Sequence, residues 1–589
     1  MQSPAVNSPS YPATPGRISA SMPRPSGRAR FVTVRHNLVF LVVPFAAVLL
    51  WILGFWGADP RNMWALGLLS LFNAAIVSGL VLLIGGFLYS LYRARPGWVL
   101  GTYLVTYIAL IHGTPPLLYG TLRYSWAYKH VGIVDYILRT GSVDPSIDVG
   151  QIYHNWPGFF AGSALLTSLA GQPDALEIAS WAPLAFNLMN LLVLRYVFRG
   201  MTRNRSLVWL GLLFFFLINW VGQEYFSPQA LAFTLYLGLI GLLIRQPTHR
   251  PHIAPFALIV ATLAVSHQIT PLMMLFAVSA LVATRRARGW YLPLVALVLV
   301  ATWALTGARD YTLVNLQELV VELGDPVGNA GQTLDKSAAL SGTELLVVWG
   351  GRFTVIVASA VAILGLVRRT RARDLRVTAT VLMVLPALLV LTTGFGGEVL
   401  FRAFLFAAPF IAFLGADACL PRGSRGFPPL SLLAATVTAV LVVPGFLLGY
   451  YGKERQNYFT PAEVQAAAWV DAHAQPGSLL VEGSTNYPMR FLEYDKFTYV
   501  PIDLEPEDTT TELLADPAGK LEKWLNDPQY TDAYVLLTRG QGIAVDTEAS
   551  MPEGSVEQIE FALRHSESFR IAFETSDAVV FTLSKPGSK

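Results

Sequence analysis

Leu38-Val-Phe-Leu-Val-Val-Pro-Phe-Ala-Ala-Val-Leu-Leu-Trp-Ile-Leu-Gly-Phe-Trp56 carries no charge over its whole length. A run of that character matches the roughly 20 apolar residues that cross a bilayer as a helix. No small-residue cleavage site follows it, so it is expected to remain as a membrane helix and not to be removed as a signal peptide. Residues 1–35 before it are rich in Ser, Pro and Arg and cannot bury enough apolar surface to order themselves; they are predicted to be a disordered basic tail.

Further apolar runs follow at 64–90, 98–119, 177–198, 206–222, 229–244, 253–268, 270–284, 289–306, 344–367, 376–393, 403–420 and 429–450, which predicts about thirteen spans over residues 36–450. Composition agrees: 53% of residues are hydrophobic and 14% charged, and the mean hydropathy is +0.48. That much apolar surface needs lipid. The apolar stretch Gly158–Gly171 is predicted to be interfacial or re-entrant, because a span there would invert the charge pattern of the loops after it. The 253–284 pair is expected to be two short helices broken at Ser266-His-Gln-Ile-Thr-Pro271.

Arginine marks every second loop: Arg24, Arg28, Arg30 and Arg35, then Arg93 and Arg95, then Arg199, Arg203 and Arg205, then Arg245 and Arg250. The alternation continues through Arg285, Arg286 and Arg288, then Arg368, Arg369, Arg371 and Arg373, and ends at Arg422 and Arg425. Positive loops stay in the cytoplasm, so the N-terminus is expected inside and the C-terminus outside. A net charge of only +3 gives nucleic-acid binding no electrostatic support. The single cysteine, Cys419, excludes an intramolecular disulfide framework and a thiolate zinc cluster.

From about Tyr451 the composition becomes that of a soluble domain of roughly 130 residues. Thr460-Pro-Ala-Glu463 reads as a capping box that opens a helix. Strands are expected at 478–481, 498–502, 533–537 and 578–583, with helices near 511–525 and 555–565, giving an α/β domain over 451–589.

Chemistry is expected in the outward loops at 120–176 and 307–343 and at neighbouring span ends. In the first loop Arg123, Lys129, His130, His154 and Trp156 mix bases with aromatics, a combination suited to gripping a sugar ring and an anionic head group together. Asp135 and Asp148 are candidate general bases; Asp135 sits between Val134 and Tyr136, where partial desolvation would raise its basicity. Glu224 is a third candidate, since an acid so close to hydrocarbon is costly without a purpose. His267 lies at the same depth. Glu398 and Arg402 share a helical face, which suits either a salt bridge or a fixed cation for phosphate, and Arg352 is similarly placed. No metal-ligand spacing, Gly-rich phosphate loop or nucleophile elbow is present.

The stretches His130-Val-Gly-Ile-Val-Asp-Tyr136, Tyr153-His-Asn-Trp-Pro-Gly-Phe-Phe160, Gln223-Glu-Tyr-Phe-Ser-Pro-Gln229 and Ser266–Pro271 resemble blocks of bacterial membrane glycosyltransferases of the GT-C type. The resemblance extends to the many spans, the acidic loop with its interfacial helix and the C-terminal α/β domain. It implies inverting transfer of a sugar from a polyprenyl-phosphate donor to a glycan, lipid or protein acceptor of the cell envelope, in the plasma membrane. Asp135 or Asp148 would then be the base, and Arg402 or Arg352 would hold the leaving phosphate. That family places its acidic pair after the first span, whereas here the acidic loop follows the third, which leaves both the base and a divalent metal open. A transporter or flippase of lipid-linked sugars is the main alternative, and a non-catalytic envelope scaffold is another; a transporter would show charges near mid-span and internal repeats, and neither is evident.

Overall fold

The computed structural model describes residues 38–147, 151–245, 253–315, 321, 324–335, 342–367, 373–392, 397–421 and 426–584. Each expected apolar run is met by a helix, from Val42–Phe55 to Pro429–Tyr451. Six of these, Ala74–Tyr92, Leu176–Met201, Pro228–Arg245, Gly342–Val367, Val399–Cys419 and the last, which runs on to Asn457, are long and apolar enough to cross a membrane. The expectation of about thirteen full spans therefore narrows to six clear ones among the described residues, with shorter apolar helices packed between them. The chain is a multi-pass membrane protein with a C-terminal α/β domain.

The run at 64–90 began ten residues too early, about three helical turns. Its helix begins at Ala74 because Asn73 turns its side chain back to accept from the backbone of Ala75 (3.1 Å) and Ile76 (3.2 Å), an N-cap that fixes the entry point. The preceding residues form a short bridge, Trp64 with Gly67, and a 3-10 turn over Leu68–Leu71.

Arg205–Ile218 is apolar on all sides and is enclosed against Val399–Cys419, as a helix without a polar face must be. Cys419 is buried near Thr438. At one end of the bundle basic side chains gather: Arg205 donates to the carbonyl of Arg95, and the stem of Arg245 packs where a Cβ on Gly200 would lie.

Gly158–Leu169 is a helix of 12 residues, too short to cross. Gly158 lets it press on Ile253–Ser266: a Cβ there would meet the Ser266 hydroxyl at 2.5 Å and the Val265 carbonyl at 2.9 Å.

The C-terminal domain is a five-stranded sheet of order β2-β1-β3-β5-β4, with β1 Ser478–Glu482, β2 Phe497–Pro501, β3 Ala533–Thr538, β4 Phe569–Glu574 and β5 Ala578–Leu583. β1 pairs parallel with β2 and β3, while β5 runs antiparallel to β3 and β4. The Thr460–Glu463 capping box forms as expected. The expected helix at 511–525 is two, Glu507–Ala515 and Pro517–Leu525, separated by Asp516, whose carboxylate caps the second by accepting from Gly519 N. Two further elements were not expected: β4, although its Phe569, Ile571 and Phe573 alternate with Arg570, Ala572 and Glu574, and the helix Arg539–Glu548, which is short and polar.

The domain docks on the helix Ser125–Thr140. Gly132 makes the contact, since a Cβ there would sit 2.1 Å from the Arg490 carbonyl oxygen. Around it, Phe159, Phe226, Phe459, Phe491 and Tyr494 form one apolar cluster drawn from both regions.

Candidate functional site

A cavity of about 800 Å³ opens at the end of the bundle that carries the domain. Its walls come from the start of Ser125–Thr140, the short helix Gln151–Asn155, the loop at Gly222–Tyr225, the break at Gln268, the helix Arg309–Val314 and the start of Val399–Cys419. A smaller chamber of about 70 Å³ shares Tyr153, Trp156, Gln223, Tyr225 and Arg402 with it and adds His130, His267 and Ser266.

Of the residues singled out in the sequence, Lys129, His130, Trp156, His267, Glu398 and Arg402 are brought together on these walls. Arg402 is 8% exposed, donates to Gln229 Oε1 at 2.5 Å and pairs with Glu398 at 2.8 Å. Gln229 in turn donates to the Thr270 hydroxyl at 3.5 Å, which lies 3.3 Å from His267 Nδ1. One polar chain thus runs from Glu398 to His267.

Lys129 is 6% exposed and lies over the rings of Trp126 (4.5 Å) and Tyr153 (5.3 Å). Its helix lies outside the spans, and burial together with the neighbouring Arg490 guanidinium holds its ammonium down to about 7, against the opposing pull of Glu482. Burial is also the main reason that Glu482, on β1, is pushed up to about 7. This cation is therefore held among aromatic faces beside open space, the arrangement in which an arriving anion gains most.

The remaining candidates lie elsewhere. Asp135 accepts from Arg139 Nε at 2.8 Å and from the Glu493 backbone at 3.1 Å, while Arg139 also reaches Asp495 at 2.5 Å; this triad braces the docked domain and lines neither cavity. Glu224 is buried behind the wall, 3.3 Å from His112 Nδ1. Arg123 binds Glu454 at 2.8 Å and the Tyr450 carbonyl at 2.6 Å. His154 accepts from the Asp144 backbone at 2.9 Å and meets the Tyr494 hydroxyl; burial lowers it to about 4. Arg352 lies over Trp349 and lines neither cavity. Asp148 falls outside the described residues.

Sequence reasoning did not single out Tyr153, Gln223, Tyr225, Gln268 or Tyr311 as site residues, although all line the large cavity. The first four lie inside the quoted blocks, so the signal was present. Tyr311, edge-on to Trp156 at 5.1 Å, comes from the second outward loop, 307–343, where chemistry was expected without a residue being named. Among the described residues no group of three His, Cys, Asp or Glu side chains is arranged to hold a metal ion.

Fold and cavity together define a polytopic membrane protein with an amphipathic chamber at one end of its bundle, beside the helix on which the C-terminal α/β domain docks. No protein-family model matches the chain, and no curated protein matches its sequence. Among solved structures it is similar to the Archaeoglobus fulgidus oligosaccharyltransferase tethered with an acceptor peptide containing the NVT sequon, at 10% identity over 82% of this chain and 74% of that one, with a TM-score of 0.48. It is also similar to ArnT from Cupriavidus metallidurans in the apo state, at 14% identity over 82% and 97% of the two chains, with a TM-score of 0.45. The same protein bound to undecaprenyl phosphate matches at 14% identity, 82% and 98% coverage and a TM-score of 0.43.

Proposed function

We propose that this chain is a membrane glycosyltransferase that moves a sugar from a polyprenyl-phosphate donor to an acceptor on the extracytoplasmic side of the plasma membrane. The observation that carries the reading is the large cavity. Aromatic and aliphatic walls suited to an isoprenoid and a sugar face carry two buried cations, Lys129 and Arg402, suited to a phosphate. The alternation of arginine loops supports the orientation.

In this reading the acceptor hydroxyl attacks the anomeric carbon, the bond from that carbon to the phosphate oxygen breaks, and the electron pair leaves with the polyprenyl phosphate toward Lys129 and Arg402. The hydroxyl proton passes to a carboxylate on the opposite face of the sugar. Asp148 is assigned that role as the remaining first-loop candidate from the sequence, since Asp135 and Glu224 are engaged elsewhere and Glu398 is held by Arg402.

The test is to give the purified full-length protein, in proteoliposomes, a polyprenyl-phosphate hexose and an envelope extract. Wild type should release polyprenyl phosphate and label the extract, and Asp148→Asn should do neither. Movement of intact donor between leaflets without release of polyprenyl phosphate would sink the transferase reading in favour of a flippase.

A further inference from the structure

Two histidines face the small chamber in opposite tautomers. His130, 1% exposed, points Nδ1 at the carbonyl oxygen of Phe226 from 2.7 Å. A carbonyl only accepts, so Nδ1 carries the proton and Nε2 is a bare acceptor. Among the described residues that Nε2 is buried without a partner. The ring is locked in place, stacked on Tyr225 at 5.6 Å and edge-on to Tyr153 at 4.9 Å. His267 is the reverse. Its Nδ1 accepts from the backbone N–H groups of Ile269 (3.1 Å) and Thr270 (3.2 Å), at the start of the helix Ile269–Ala283, so its proton sits on Nε2.

The chamber's lining also includes Ser266 and Gln223, whose Oγ and Oε1 are buried without a partner among the described residues. Its described lining holds no carboxylate and one cation, Arg402, which already serves Gln229 and Glu398. A cationic ligand would find no counter-charge here. An apolar tail would leave His130 Nε2 and Ser266 Oγ unsatisfied, at a cost of about 1–3 kcal/mol each. A neutral ring bearing neighbouring hydroxyls, each both donor and acceptor, satisfies every one of these groups and stacks on Tyr153, Tyr225 and Trp156. The space of about 70 Å³ is several times the roughly 10–15 Å³ that a single water needs.

We infer that the His130–His267 chamber seats the sugar ring of the lipid-linked donor, with one hydroxyl donating to His130 Nε2 and a neighbouring hydroxyl accepting from His267 Nε2–H. This rests on the lipid-linked-sugar reading above and divides the site into a neutral sugar chamber and a cationic phosphate wall. Burial holds the His130 imidazole down to about 3, with Lys129 adding to the shift, so the acceptor stays bare at neutral pH.

The experiment titrates the full-length protein with polyprenyl phosphate and with polyprenyl-phosphate hexose, reading both by native mass spectrometry, for wild type, His130→Phe and His267→Asn. Phenylalanine keeps the stacked ring, and asparagine keeps a side-chain acceptor for the helix start. Each variant should lose about tenfold in affinity for the glycosylated lipid, the worth of one hydrogen bond, and none for the bare phosphate. Should His130→Phe fail to fold, His267→Asn and Ser266→Ala carry the same comparison. Equal losses for both lipids, or no loss for either, would overturn the sugar chamber while leaving the phosphate wall standing. Wild type binding neither lipid would overturn the functional reading and this inference together.

Discussion

Arg123 and Lys129 stand six residues apart, both are buried cations, and the protein treats them in opposite ways. Arg123 is held by direct partners: two contacts to Glu454 at 2.8 and 2.9 Å, the Tyr450 carbonyl at 2.6 Å, and the rings of Tyr124 and Tyr450 at 4.6 and 4.3 Å. Glu454 is completed by the Tyr119 hydroxyl at 2.7 Å. Among the described residues Lys129 has no ion-pair contact: it lies against the rings of Trp126 and Tyr153 and lines the large cavity, with Arg490 and Glu482 as its more distant charged neighbours. A buried charge whose geometry is complete fastens helices together, and one left incomplete beside open space waits for a ligand.

The sharpest way to break this contrast is Arg123→Met. It leaves Glu454, fully enclosed, without its cation, and removing one partner of a buried pair costs about 3–5 kcal/mol. The full-length protein in detergent should show a large fall in melting temperature, and an unchanged one would mean that the cluster does not hold the bundle. Lys129→Met should do the reverse. Stability should hold or rise, because an uncompensated charge is removed, while donor binding should weaken by about 2 kcal/mol, roughly 30-fold.

The same lysine sets a pH dependence. Unfolded, its ammonium titrates near 10.4; folded, burial lowers it to about 7. Between those values the unfolded chain binds the extra proton, so stability should rise with pH across the window from about 7 to 10. Phosphate needs the charged form, so donor affinity should fall as pH climbs through about 7, and Lys129→Arg should abolish that limb because guanidinium stays charged. The groups facing Lys129 are Arg490 and Glu482 of the C-terminal domain. A pH profile identical in wild type and Lys129→Arg would assign the limb to another group.

These two cations also show what a sequence can reveal. Lys129 and His130 were legible as bases set among aromatics in an outward loop, and Arg402 as an arginine sharing a helical face with Glu398, whereas Glu224, singled out because an acid beside hydrocarbon is costly, lies behind the cavity wall. Which charge is structural was not legible, because Arg123 meets Glu454 and Lys129 meets Arg490 across more than 300 residues of chain. Helices were readable from apolar runs down to the break at Ser266–Pro271, since lipid enforces a simple code. β4 was missed although its Phe569, Ile571 and Phe573 alternate with polar or small residues, while Arg539–Glu548, with Gly540 and Gly542 in its first turn, offers no helical apolar stripe.

Asp135 provides the smallest and most discriminating test. The sequence offered it as a base on the strength of its apolar neighbours, yet its carboxylate is shared between Arg139 and the Glu493 backbone, and its pair with Arg139 is partly open to solvent, with side-chain exposures of 16% and 32%. Pairs of that kind contribute about 1 kcal/mol or less. Asp135→Asn keeps an oxygen for the Glu493 N–H and loses only the ionic part, so it should lower the melting temperature slightly and leave turnover of the donor near wild type. A catalytic base replaced by its amide would instead lose about 10²–10⁴-fold in rate. Loss on that scale with an undisturbed fold would move the reacting face of the sugar to the domain interface and reverse the roles given to Asp135 and Asp148.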